Sequence, residues 1–123
     1  MTRLDELVGV ELGPTSWIEI PQERIDTFAE ATDDPQWIHV DPERAAHGPF
    51  GTTIAHGFLT LSLCVPMMHE LFPPSEVALV NYGVDRVRFP APVPSGARVR
   101  GRFTVRSVEA TPPGRRAVID ATV

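Results

Sequence analysis

Two short pieces of this chain carry residue types that could move protons and hold a charged oxygen. Asp34-Pro35-Gln36-Trp37-Ile38-His39 sets a carboxylate and an imidazole five positions apart in a turn-rich segment. Both groups can exchange protons near neutral pH. Phe50-Gly51-Thr52-Thr53-Ile54-Ala55-His56-Gly57 follows and runs directly into the apolar stretch Phe58-Leu59-Thr60-Leu61-Ser62-Leu63-Cys64-Val65. Gly57 stands where a buried helix begins, and a backbone N–H there suits a negative oxygen. Glycine also lets a ligand approach the main chain closely. This is equipment for chemistry beside a carbonyl. Hydrating or dehydrating a C=C bond next to a thioester needs a base for water, a proton for the α-carbon and a donor for the enolate oxygen.

Each residue also has a plainer reading. Asp34 alone could shape its turn, His39 could be a satisfied, partly buried histidine, and Gly57 could serve packing. His56 could carry a proton or, beside the glycine, orient the loop. The conjunction is what points to chemistry. A metal site is not expected: His39, Asp41, His47 and His56 fit no helical H-x-x-x-H spacing, and Asp41 suits a helix cap. The one cysteine, Cys64, excludes an intrachain disulfide and sits among Leu61, Leu63 and Val65 as a small core residue.

The elements that must position these groups belong to one domain, since 123 residues bury a single core and do not suffice for two. Thr15 to Ile20 has the β-branched and aromatic content of a short strand. Pro21 suits a helix start, with Ile25, Phe28 and Ala29 on one face, and the helix should end near Thr32. Asp41-Pro42-Glu43-Arg44-Ala45-Ala46 reads as a second short helix capped by Asp41. The segment from about Ile54 to Leu71 is apolar on every side through Val65, the pattern of a helix wrapped by other structure, and Pro66 should kink it or end its first section. After Pro73-Pro74 the pattern changes to strands. One is expected from about Ala78 to Phe89, another from Ala97 to Val105, and a last from about Arg116 to Val123 after the turn at Thr111-Pro112-Pro113-Gly114. In the second of these, Val99, Gly101, Phe103 and Val105 alternate with Arg98, Arg100, Arg102 and Thr104. A buried helix followed by antiparallel strands implies an α+β fold with a sheet curled around the helix.

Composition narrows the partners. Hydrophobic content is 42% and charged content 22%, ordinary for a globular protein. No apolar run approaches the ~20 residues that cross a bilayer. The acidic N-terminal stretch from Met1 to Leu7 lacks the basic and apolar regions of a signal peptide, so a cytoplasmic protein is the expectation, with no membrane partner. Residues 1–85 hold 14 acids and 3 Arg, net −11, whereas residues 86–123 hold 8 Arg and 2 acids, net +6. Arg pairs with phosphate in a bidentate fork, so the last third is where a phosphorylated group would be met. Nucleic acid is not expected, because the chain is acidic and its basic stretch lacks interleaved aromatics.

Phe28-Ala29-Glu30-Ala31-Thr32-Asp33-Asp34-Pro35-Gln36-Trp37-Ile38-His39-Val40-Asp41, together with the Phe50–Ser62 segment, resembles the MaoC-like, (R)-specific enoyl-CoA hydratases. Val87-Arg88-Phe89-Pro90-Ala91-Pro92-Val93-Pro94-Ser95-Gly96 is similar to a strand-loop-strand segment of the same family, and the resemblance spans roughly residues 17–108. It implies a hot-dog fold, an antiparallel sheet wrapped around a long central helix, paired as a homodimer or a hot-dog heterodimer. It further implies that Asp34 and His39 form the catalytic dyad and that Gly57 donates an oxyanion amide. The implied reaction is reversible hydration of a trans-2-enoyl-CoA or carrier-bound thioester to the (R)-3-hydroxyacyl thioester, with no metal or redox cofactor. Gln36, His56, Phe58 and Leu61 are the expected substrate-binding neighbours, and Arg98, Arg100 and Arg102 offer a face for the charged carrier. A hot-dog thioesterase and a non-catalytic acyl-binding subunit are the alternatives. Three departures stand out. Asp33 replaces a common glycine, Gln36 and Trp37 replace a common asparagine and proline, and the chain stops at Val123 inside an alternating pattern, short of the family's final strand.

Overall fold

The computed structural model of the chain describes residues 3–72 and 79–123. In chain order the elements are α1 (Arg3–Glu6), β1 (Glu11–Leu12), β2 (Ile18–Glu19), α2 (Gln22–Thr32), α3 (Trp37–Val40) and α4 (Pro42–Ala45), followed by α5 (Gly57–Ser62), α6 (Cys64–Leu71), β3 (Arg98–Val99), β4 (Arg102–Thr111) and β5 (Gly114–Thr122). Two units form. One comprises Trp17–Ser62 and Val80–Val99, the other the described residues of Met1–Ser16, Leu63–Leu79 and Arg100–Val123.

The first unit holds the residues of chemical interest. Strand β2 pairs antiparallel with β3, Ile18 opposite Val99, and the Gly96 N–H donates 2.8 Å to the Ile20 carbonyl to extend the pairing. Pro21 keeps an extended backbone at the N-cap of α2, and Ile25 and Ala29 are buried on one face of the helix, as their spacing requires. Helix α2 stops at Thr32 because Asp33 turns left-handed, φ 57°. Asp41 caps α4, its carboxylate accepting from the Arg44 N–H at 3.1 Å, with Pro42 in the first turn. The segment before α5 is stitched by main-chain bonds on both sides: Ile54 N–H to Ile38 carbonyl at 2.9 Å, Ala55 N–H to Val93 carbonyl at 2.8 Å and Ser95 N–H to Thr53 carbonyl at 2.9 Å.

Two expectations change here. The strand expected from about Ala78 to Phe89 begins outside the described residues, and residues 79–89 form no strand. Leu79, Val80, Tyr82 and Val84 are exposed; a β pattern reports side chains that need a covered face, but a ladder also needs a partner backbone. Nor is α5 buried all round. Leu59 is buried, whereas Phe58 is 68% exposed. The helical run is also divided, α5 ending at Ser62 and α6 starting at Cys64, just where Pro66 lacks an N–H to bond four residues back.

In the second unit, β4 lies between β1 and β5 in an antiparallel sheet. The predicted alternation is met: Phe103 and Val105 are buried and Arg102 is exposed. Gly101 is required by space, since a Cβ there would lie 2.7 Å from the Phe103 ring and 2.8 Å from Met67 Sδ. The Thr111–Gly114 turn closes the β4–β5 hairpin. The Ser16 N–H and hydroxyl both donate to the Glu70 carboxylate, at 3.0 and 2.7 Å. No helix among the described residues is long and apolar enough to cross a membrane.

Candidate active site

His39 sits in α3, a single turn whose N-terminal residue bonds explain its shape. The Gln36 carbonyl accepts from the His39 N–H at 2.9 Å and the Val40 N–H at 3.3 Å, so the turn presents the imidazole inward, where it is 7% exposed. His39 Nδ1 lies 2.7 Å from the Ile54 carbonyl oxygen. A carbonyl can only accept, so Nδ1 carries the hydrogen and the neutral ring keeps its lone pair on Nε2. That is the tautomer a base needs.

A polar scaffold absent from the sequence reading holds this turn. Gln22, opening α2, donates from Nε2 to the His39 carbonyl at 2.7 Å and to Asp26 Oδ1 at 2.8 Å. Its Oε1 accepts from the buried Thr53 hydroxyl. One amide therefore ties α2, α3 and the segment leading to α5. Nothing local in the sequence marks it, because Gln22 and Thr53 are 31 positions apart.

Asp34 follows the left-handed Asp33. Both N–H groups, of Asp33 and Asp34, reach the Ala29 carbonyl, leaving the Asp34 side chain 52% exposed. The left-handed φ also accounts for the glycine expected at position 33, since that region favours glycine. Asp33 itself is exposed, with Asp26 and Glu30, around an open hollow also lined by Ala29, Pro35 and Val40.

His56 lies against both. Its ring stacks on His39 with centroids 3.8 Å apart and planes 21° from parallel, and tilts on Phe28 at 4.9 Å. Its Nε2 donates to the Asp34 carbonyl oxygen at 3.0 Å and lies 3.9 Å from Asp34 Oδ2. Asp34, His39 and His56 each bring one donor or acceptor atom within 4.8 Å of the others. A water making two ~2.8 Å hydrogen bonds at an open angle spans that distance. A metal fits less well. Its ~2.0–2.1 Å bonds need histidine lone pairs that converge, whereas two nearly parallel stacked rings direct their in-plane lone pairs past one another.

The remaining predicted residues are placed as follows. Gly57 opens α5, and its N–H meets no acceptor among the described residues. Phe58 is exposed and meets the Phe89 ring edge-on at 5.9 Å. Leu61 is half-buried on the same helix. The Gln36 side chain is exposed, its main chain serving the α3 turn. Trp37 is covered by the Arg44 guanidinium, 4.3 Å from the ring centroid, and Gly48 has no room for a Cβ beside it. The substituted Trp37 thus braces α3 against α4.

A family model described as a MaoC like domain matches residues 5–119. The 3-hydroxyacyl-thioester dehydratase Z of Mycobacterium tuberculosis is 51% identical over 117 residues, covering 94% of this chain and 78% of that protein. Among solved structures, a MaoC-like dehydratase from Rhodospirillum rubrum superposes with a TM-score of 0.70 at 22% identity, covering 94% of this chain and 80% of that one. The (R)-hydratase of A. caviae involved in PHA biosynthesis gives 0.62 at 23% identity, covering 82% and 76%. The fold is the α+β hot-dog fold of these structures.

Proposed function

The chain belongs to the MaoC-like domain family, and from that premise we propose that this hydratase/dehydratase acts on a trans-2-enoyl thioester and its (R)-3-hydroxyacyl product through Asp34 and His39. The observation that carries the reading is the closeness of Asp34 to His39, whose Nδ1–H is committed to the Ile54 carbonyl. A water bridging the Asp34 carboxylate and His39 Nε2 is oriented by both. In hydration its oxygen adds to C3 while the pair takes one proton, and the electron pair of the double bond moves toward the thioester carbonyl. The enolate oxygen faces a backbone donor, for which the Gly57 N–H, without an acceptor among the described residues, is the candidate. C2 then takes a proton from the same pair, so that one water is added overall. Dehydration is the reverse. No redox cofactor is needed, since no electron is gained or lost overall.

The acyl chain runs along Phe58 and Leu61, whose apolar surface is open in the single chain. The thioester is carried by coenzyme A or a carrier protein, its phosphates met by exposed arginines such as Arg98. The working assembly is a pair of hot-dog chains, identical or not, in the cytoplasm.

Crotonyl-CoA tests the reading. The parent should consume the conjugated-thioester absorbance without releasing free CoA. Asp34→Asn and His39→Ala, checked for folding by circular dichroism, should each lower kcat by at least ~100-fold, the scale of general acid–base catalysis. Release of CoA in step with the absorbance loss would replace the reading with a thioesterase. A folded parent silent in both assays, with longer and branched enoyl thioesters included, would leave an acyl-binding subunit.

A further inference from the structure

His56 has one ring nitrogen spent and the other closed off. Nε2 donates to the Asp34 main-chain carbonyl, while Nδ1 is buried and has no hydrogen-bond partner among the described residues. The residue is 3% exposed and clasped between Phe28 and His39. A buried polar atom left unpaired is costly, and such exceptions in native structures call for a functional account. Substrate cannot reach Nδ1, and Nε2 could receive a proton only by giving up Asp34. His56 is therefore poorly placed either to bind substrate or to shuttle protons.

We infer that His56 is a positioning residue, a fixed imidazole that holds the Asp34 turn against the His39 ring. The inference rests on the reading of Asp34 and His39 as the reacting pair. Asp34 needs such a hold. Its carboxylate is half exposed, and among the described residues its one tie apart from His56 is the N–H bond to the Ala29 carbonyl at 3.0 Å, made just after a left-handed residue. The His56 N–H fixes the far side of the same residue through its carbonyl. The flat face of the ring fixes the other partner, because stacking sets the plane in which His39 Nε2 points. A single side chain thus registers acid against base. A misplacement of about 1 Å at a reacting pair is enough to cost ~10²-fold in rate.

The role predicts which ring atom carries the hydrogen. At neutral pH, nitrogen-15 NMR of the parent should find opposite tautomers, Nδ1–H on His39 and Nε2–H on His56. His56→Phe keeps a ring between Phe28 and His39 but removes the donor, and His56→Gln keeps a donor able to reach the Asp34 carbonyl but removes the ring. Each should lower kcat by ~10–100-fold with KM within ~3-fold. In an Asp34→Asn background the same changes should cost less than ~3-fold, because a residue acting through Asp34 has nothing left to position. Hydrogen exchange of the Asp34 amide should speed up at least ~10-fold in His56→Phe, with exchange in β4 unchanged.

An Nδ1–H tautomer on His56 would overturn the inference. So would a loss confined to KM, which is the mark of substrate binding, or equal losses with and without the Asp34 carboxylate. If the parent processes no enoyl thioester, the functional reading falls. The tautomer and the Asp34 exchange rate then decide the positioning role by themselves.

Discussion

Gly57 and Phe89 fit so closely that a methyl group on the glycine would lie 2.5 Å from the ring's Cδ2. Position 57 is thus glycine for a packing reason as well as for any role of its N–H. Gly57→Ala should cost about 1–3 kcal/mol through overpacking, read as a lower midpoint in urea. Adding Phe89→Leu should return most of that stability. The rate should stay at least ~10-fold down in the stabilised double variant, because the new methyl still crowds the approach to the amide. Full recovery of rate along with stability would reduce Gly57 to packing.

Gln22 should matter to stability and rate together. Removing it leaves the buried Thr53 hydroxyl and the His39 carbonyl without their partner. Gln22→Ala is expected to destabilise by about 1–3 kcal/mol, the range for an unsatisfied buried polar group. Thr53→Val in the Gln22→Ala chain removes the stranded hydroxyl and should recover part of that loss. Activity should fall in Gln22→Ala and remain low in the double variant, since the α3 turn has lost its tie in both. Chemical denaturation and turnover measured on the parent and these two variants separate the outcomes.

The contrast between legible and hidden features follows from range. Helix α2 was readable because Pro21 marks its start and Ile25, Phe28 and Ala29 report a local 3.6-residue period, and α4 because Asp41 caps its own turn. The face of β4 was readable because alternation has period two. Gln22 and Thr53 were not, since a hydrogen bond between distant polar side chains leaves no periodic trace. His56 was visible as a residue type but not as a tautomer. Only the atoms around it say which nitrogen is used. The exposure of Phe58 and the missing strand at residues 79–89 belong to the same class. An apolar pattern states that a face wants covering, and what covers it lies beyond the local sequence.

Asp33 is the position where a substitution should help. Its φ of 57° lies in the left-handed region, which costs an L-residue roughly 1 kcal/mol relative to glycine. Its side chain is exposed and touches neither His39 nor His56. Asp33→Gly should therefore raise stability by about 0.5–1 kcal/mol, and thermal melting at fixed pH would show it as a rise of a few degrees. Turnover should stay within ~2-fold of the parent. A lower midpoint would mean that the Asp33 carboxylate contributes more to the turn than its backbone strain removes.

Cys64 should make stability fall at alkaline pH. The residue is buried on α6, and burial raises its thiol above the ordinary value of 9.0 because a thiolate there would be desolvated. Below pH 9.0 the thiol is protonated in folded and unfolded chains alike, and its contribution is fully present. Above that value the unfolded chain releases the proton first, so it binds fewer protons than the folded one. The slope of unfolding free energy against pH is then negative. The loss continues until the pH passes the folded-state value. Cys64→Ala removes a core sulfur at a cost independent of pH, so the gap between parent and variant should shrink as pH rises from 8 to 10.5. In the same range a thiol reagent should react with the native protein far more slowly than with the denatured chain. A gap that stays constant, with rapid labelling of the native state, would place the thiol in contact with solvent.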